Sequence, residues 1–205
     1  MTKMDRILIG SNNKGKYIEI SEVLGDLEVN LIQPLDLGIS EDPAETGETF
    51  EENAVQKALF YHEKAKIPTL ADDSGIIIEA LQDELGIHTR RWGAGPQASD
   101  KKWIEFFLKR MKQESNKRAH FVCHLAYIGP DGILHSFEGR CSGIITDELE
   151  ADYLPGLPIS ACFRPNGFDS VFSALTLDQK NSTSHRGLAS HKLKEHLVMA
   201  SNKVL

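Results

Sequence analysis

Apolar positions along this chain alternate between short strand-like runs and stripes at helical spacing. Arg6-Ile7-Leu8-Ile9-Gly10 predicts a short buried strand. Ser11-Asn12-Asn13 is a turn able to cap a helix, and Lys14 to Leu24 is that helix. Val29 to Gln33 reads as a second strand, and Leu35 to Gly47 as a loop rich in acid, proline and glycine. Thr49-Phe50-Glu51-Glu52 has the spacing of a capping box, with a long helix following to about Lys66. On that helix Phe50, Ala54 and Ala58 form an apolar stripe beside a face shared by Asn53 and Lys57. Thr69 to Ala71 and Gly75 to Ile78 read as strands around the acidic turn Asp72-Asp73-Ser74. Asp100 to Lys112 is an amphipathic helix whose Trp103, Phe106, Phe107 and Met111 are assigned to the core. Ala119 to Ile128 and Ile133 to Cys141 flank Gly129-Pro130-Asp131-Gly132, a hairpin signal. Leu154 to Gly167 reads as irregular, Ser170 to Ser173 as a short strand, Gln179 to Ser184 as a polar loop and His185 to Met199 as the last helix.

A length of 205 residues, 40% apolar and 26% charged, suits one soluble globular domain with a proper core. No stretch approaches the length of a membrane-spanning helix. The chain enters its first strand at once, which leaves no room for a signal peptide. Cys123, Cys141 and Cys162 have no C-x-x-C spacing, so the expectation is a reducing, cytoplasmic setting without disulfides or structural zinc. A net charge of -7 argues against a nucleic-acid partner, which needs a broad basic face, but leaves room for a local basic pocket.

Asp72-Asp73-Ser74-Gly75 concentrates the candidate chemistry. Adjacent carboxylates repel, and burial penalises both. A divalent cation, a cationic ligand-binding wall or a proton transfer would offset that cost; the plain alternative is an ordinary turn. Ser11-Asn12-Asn13-Lys14-Gly15-Lys16 joins a strand to a helix, and N–H groups at a helix start with lysines beside them favour a phosphate. The P-loop spacing is absent, and a simple cap with solvated lysines is the alternative. Lys57, Glu45 and Glu48, each taken alone, read as solvated charges. Lys180, His185 and Arg186 gather at the start of the last helix, where cations oppose the macrodipole; a bound anion would resolve that conflict. His120 and His124 share a strand face without a third ligand near in sequence, which disfavours a metal. No cysteine has a base beside it to make a nucleophile.

Taken in order, these segments resemble the inosine triphosphate pyrophosphatase family over nearly the whole chain. Ser11-Asn12-Asn13-Lys14-Gly15-Lys16-Tyr17-Ile18-Glu19 is similar to the family's S/T-x-N-x-G-K-x-x-E phosphate loop, and Glu45 to Ala58 to its E-T-G-x-T-F-x-E-N-A-x-x-K-A segment. Leu70-Ala71-Asp72-Asp73-Ser74-Gly75-Ile76 matches A-D-D-S-G-L, and Ser184-His185-Arg186-Gly187-Leu188-Ala189 matches S-H-R-G-x-A. The resemblance implies an α/β fold over residues 1–205, with a long mixed central sheet and flanking helices forming two lobes around an active-site cleft, assembled as a homodimer. It implies that water attacks the α-phosphorus of ITP, dITP or XTP and releases the monophosphate and pyrophosphate, with Mg2+ as cofactor, cleansing the nucleotide pool. Carried over, Asp73 is the proton acceptor and, with Glu45, a metal ligand. Lys57 is catalytic and, with Ser11, Asn12, Asn13, Lys14, Gly15 and Lys16, contacts the triphosphate; Ser74 is a substrate contact. Lys180, His185 and Arg186 line the base and sugar. Pro165-Asn166-Gly167-Phe168-Asp169-Ser170 stands for the family's G-F-G-Y-D-P, so Asn166, Gly167, Phe168 and Asp169 are assigned to the base pocket. Asn166 there replaces the stacking aromatic, which raises the alternative of an altered base preference. Thr89-Arg90-Arg91-Trp92 likewise replaces S-A-R-Y. A nucleotide-binding module without turnover is the remaining alternative.

Overall fold

The computed structural model describes residues 6–82, 93–95 and 97–202; Thr89-Arg90-Arg91-Trp92 lies outside them. Strand β1 (Arg6–Ile9) leads through helix α1 (Lys14–Leu24) to β2 (Asn30–Ile32), and helix α2 (Phe50–Ala65) leads to the long β3 (Thr69–Ile78). Helix α3 (Asp100–Met111) precedes the hairpin of β4 (Arg118–Ile128) and β5 (Leu134–Ile145), after which come β6 (Phe163–Pro165), α4 (Leu177–Thr183) and α5 (His185–Asn202). The sheet order is β2-β1-β3-β4-β5-β6, with the first three strands parallel and the rest antiparallel.

Strand alternation explains how this sheet carries its helices. On one face Leu70 packs with Ile20 and Leu24 of α1 and Ala189, Leu193 and Leu197 of α5. On the other, Ala71 packs with Ala54 and Ala58 of α2. Past the middle of β3, Ile76 and Ile78 join a separate cluster with Trp103, Ile104 and Phe107 of α3, Phe163 and Phe172. Asp72 to Gly75 therefore lies on β3 between distinct apolar clusters.

That placement corrects the turn expected at Asp72-Asp73-Ser74-Gly75. These residues are paired in continuous register with Leu125, His124, Cys123 and Val122 of β4. Local turn propensity yields to the ladder and to the cations that meet the carboxylates. The expected loop at Gln179 to Ser184 is instead mostly α4, started by a full capping box in which Thr176 and Gln179 exchange hydrogen bonds. The expected strand at Ser170 to Ser173 is a bend entering a 3-10 turn, Phe172–Ala174. At Thr49 only half of the capping box forms: Thr49 Oγ1 accepts from Glu52 N, while the Glu52 carboxylate takes the N–H of Glu48. Trp103, Phe107 and Met111 are buried as expected, but Phe106 is 41% exposed, one position off the core-facing stripe.

Candidate active site

The cavity at the heart of the molecule is about 850 Å³ and is bounded by the β1–α1 loop, the 42–45 loop, α2, the middle of β3, the Gly156–Ser160 segment and the start of α5. The alternation that placed the helices also divides the acidic pair. Asp73 faces the α2 side, as Ala71 does, and meets Lys57; Asp72 and Ser74 face the α1/α5 side and meet Lys16 and Arg186.

On the α2 side, Lys57 Nζ donates to Asp73 Oδ1 (2.7 Å) and to the carbonyl oxygen of Asp72 (3.2 Å), and pairs with Glu45 Oε1 (2.6 Å). One turn earlier on the same helix face, Asn53 Oδ1 accepts from Gly47 N at 2.8 Å, anchoring the loop that brings Glu45 in. Burial alone would discharge Lys57, but Asp73, Asp72 and Glu45 overcome it and hold the ammonium protonated well above its ordinary range. Burial raises the Asp73 carboxyl from its ordinary value, against the opposing pull of Lys57 and Lys16.

On the other side, Asp72 is 1% exposed and accepts through Oδ2 from Arg186 Nε and Nη2 (3.3 Å each) and from Ser74 Oγ (3.1 Å), with Lys16 Nζ at 3.0 Å. Burial would raise its carboxyl; Lys16 and Arg186 hold it far below the ordinary value instead. Glu19, buried on α1, pairs with both Lys180 and Arg186. The anion expected beside Lys180 and Arg186 is thus supplied by the protein itself, through Glu19 and Asp72. Ser74 Oγ is tied between Arg186 Nη2 (2.7 Å) and Asp72. Ser184 caps α5 by accepting from Gly187 N at 3.0 Å, which sets His185 and Arg186 in the first turn. His185 is buried and neutral, because burial first and Arg186 second push its pKa well down.

The β1–α1 loop contributes less backbone than expected. Asn13 Oδ1 caps α1 by accepting from Gly15 N (2.9 Å) and Lys16 N (3.2 Å), so those amides are engaged internally. Ser11, Asn12, Asn13 and Lys16 line the cavity; Lys14 is exposed and Gly15 is buried under Leu157. A Cβ at Gly15 would stand 2.8 Å from Leu157 Cδ1, so glycine is what lets the Gly156–Ser160 segment close against the loop.

Of the residues assigned from the sequence, the cavity brings together Ser11, Asn12, Asn13, Lys16, Glu45, Lys57, Asp73, Ser74, Lys180, His185 and Arg186. It does not take in Asn166, Gly167, Phe168 or Asp169. Phe168 N bonds back to Pro165 O at 3.2 Å and Gly167 has φ +85°, so Asn166-Gly167 is the middle of a tight turn, and both residues are exposed. The segment at the cavity is Gly156 to Ser160, and the rings at the wall among the described residues include Trp103, Phe121, Phe172 and His185. Glu19, Asp42 and Tyr61 also line the cavity and were not assigned; Glu19 sits one helical turn past Lys16, a spacing that could have flagged it.

Among the described residues no three His, Cys, Asp or Glu side chains are grouped to hold a metal. Glu45 and Asp73, both at the cavity wall, still fit a hard cation that takes one or two carboxylates and completes its shell with water and phosphate oxygens.

The family model described as the Ham1 family matches residues 7–196. The chain belongs to the Ham1 family. The dITP/XTP pyrophosphatase of Leptospira interrogans is 38% identical to it over 194 residues, covering 94% of this chain and 96% of that protein. The Aquifex aeolicus protein of the same name is 35% identical over 197 residues, covering 92% and 94%. Solved Ham1 structures share the fold: the Staphylococcus aureus Ham1 protein has a TM-score of 0.80 at 33% identity, and that of Coxiella burnetii 0.81 at 31%, each covering 96% of this chain and 100% of its own. The mixed α/β sheet with flanking helices is therefore the Ham1 architecture. No helix among the described residues is long and apolar enough to cross a membrane.

Proposed function

We propose that this Ham1 protein hydrolyses deaminated purine nucleoside triphosphates, ITP, dITP and XTP, to the monophosphate and pyrophosphate. The observation that carries the reading is the Glu45–Lys57–Asp73 cluster at one wall of a cavity that Lys16, Lys180 and Arg186 also line. The similarity to proteins named dITP/XTP pyrophosphatase supports the substrate class. In this reading water adds to the α-phosphorus, the bond to the α–β bridging oxygen breaks, and Asp73 accepts the water's proton. Lys57 stays charged and stabilises the growing charge on the leaving pyrophosphate. Lys16, Asn12 and Ser11 orient the phosphates, and His185 stands where the base enters.

Lys16, Lys57, Lys180 and Arg186 are balanced by Glu19, Glu45, Asp72 and Asp73, so the wall does not itself neutralise a polyanion. A divalent cation, magnesium by its preference for hard oxygen donors, would be held by Asp73 and Glu45. Bound there, it supplies the missing positive charge on the polyphosphate. EDTA should abolish pyrophosphate release and added magnesium restore it; full activity in EDTA would contradict a metal at this site. The protein is further proposed to act as a cytoplasmic homodimer on one purine nucleotide per site.

Lys57→Ala should lower kcat and raise KM, together costing roughly a hundredfold in kcat/KM, ~2.7 kcal/mol. Unchanged steady-state kinetics would leave Lys57 a structural partner of Asp73 only. The function itself is tested by pyrophosphate release from ITP, XTP, GTP, ATP, dUTP and CTP with magnesium. Preference for ITP and XTP supports the reading. Binding of ITP without pyrophosphate release would favour a nucleotide-binding module.

A further inference from the structure

Asp42 borders the cavity, and one of its carboxylate oxygens joins three elements there. Its Oδ1 accepts from Asn12 Nδ2 of the β1–α1 loop at 2.9 Å and from Tyr61 Oη of α2 at 2.8 Å. Asn12 fills the variable position after Ser11 in the phosphate-loop motif, and Asp42 and Tyr61 lie outside the Glu45 to Ala58 segment, so the family motifs do not account for this clasp. Tyr61 is its fixed post. It is 1% exposed, its ring meets Phe60 edge-on at 5.1 Å, and it lies against Gly10 at the end of β1. Burial first and Asp42 second raise its phenol, so it stays a donor. The loop carrying Asp42 docks on α2 at further points: Lys64 pairs with Glu41, Lys57 pairs with Glu45, and Thr46 N donates to Gln56 Oε1 at 3.2 Å.

Asn12, which also lines the cavity, is the partner that this anchored loop holds. Asn13 is engaged in capping α1, and Ser11 Oγ accepts from Asn13 N at 3.2 Å. The Asn12 carboxamide is held instead by Asp42, and its Oδ1 has no hydrogen-bond partner among the described residues. Reversing the amide would set that oxygen against the Asp42 carboxylate, acceptor against acceptor, so Asp42 selects one orientation. We infer that Asp42 is a positioning residue that holds Asn12, and with it the phosphate loop, in the arrangement that binds a polyphosphate. This rests on the triphosphate reading above. The groups assigned to the chemical step are held separately: Lys57 and Asp73 pair with each other across α2 and β3, and Glu45 pairs with Lys57. Loss of the Asp42 carboxylate therefore weakens substrate binding and spares turnover.

The test measures kcat and KM for ITP with magnesium in wild type, Asp42→Ala, Asn12→Ala and the double variant. Each single variant should raise KM about tenfold, with kcat of Asp42→Ala kept within about threefold of wild type. The double variant should raise KM no more than about twofold beyond either single one, because both remove the same contact. A merely structural tie would lower kcat by reducing the active fraction and leave KM unchanged, which overturns the inference. So do KM effects that multiply to about a hundredfold in the double variant, since Asp42 then does not act through Asn12. If Asp42→Ala does not fold, Asp42→Ser, whose short hydroxyl cannot span both donors, is read in the same way. Wild-type kinetics in a folded Asp42 variant overturn the Asp42 inference alone. No pyrophosphate from ITP with the wild-type protein overturns the triphosphate reading beneath it.

Discussion

Asp73→Asn is expected to lower kcat for pyrophosphate release by roughly a hundredfold or more, the range assigned to a positioned general base, or at least ~2.7 kcal/mol of barrier. The substitution keeps the side chain's shape and removes its charge and its proton-accepting oxygen. Lys57 retains Glu45 Oε1 at 2.6 Å and the Asp72 carbonyl at 3.2 Å, so the α2–β3 contact survives. Circular dichroism and melting should therefore resemble wild type. A folded variant that keeps more than about a tenth of kcat, a barrier change under ~1.4 kcal/mol, would remove Asp73 from the role of base.

Asp72→Asn is expected to act on stability instead. Asp72 is not among the residues lining the cavity; it is the buried anion that Lys16 and Arg186 share. Removing one partner from a buried ionic cluster costs about 3–5 kcal/mol, because Arg186 is then left with Glu19 as its remaining carboxylate. For a domain of this size that lowers the melting temperature by roughly 6–20 °C. The pH dependence follows from the depressed pKa: the folded state binds the Asp72 proton more weakly than the unfolded chain, so its stabilisation is complete above the unfolded value of about 3.9 and fades as pH falls below it. The gap between wild type and Asp72→Asn should accordingly narrow in acid. Equal melting at neutral pH would mean that the cluster contributes nothing net to the fold.

The family resemblance singled out Asp73, but the opposite facings of these neighbouring aspartates could not be read from the residues themselves. The motif Asp72-Asp73-Ser74-Gly75 was visible, but as a turn, and a turn carries no rule for which carboxylate faces which helix. Once β4 extends the ladder through it, the two-residue period of a strand sends Asp73 to α2 and Asp72 to α1 and α5. Features set by short-range chemistry were legible: the Asn13 and Thr49 caps, the Asn53–Lys57 helix face, the Gly129–Gly132 hairpin and the apolar stripe of α3. Features set by long-range packing were not. Residues 156–160 reach the cavity because Asp100 Oδ2 accepts from Gly156 N at 2.7 Å and Leu157 closes over Gly15, contacts more than fifty residues apart in the chain. The sequence offered Asn166 to Asp169 as the base pocket on motif likeness, yet Asn-Gly there builds an exposed turn. The polar composition around Gln179 pointed to a loop, where the capping box at Thr176 starts α4.

The central claim is attack of water at the α-phosphorus of a deaminated purine triphosphate. It is tested most directly by incubating the protein with ITP and magnesium in water enriched in heavy oxygen, and resolving the products by mass spectrometry. The account predicts equal amounts of IMP and pyrophosphate, with the heavy oxygen in IMP alone. Heavy oxygen in pyrophosphate, or release of orthophosphate and IDP, would contradict it.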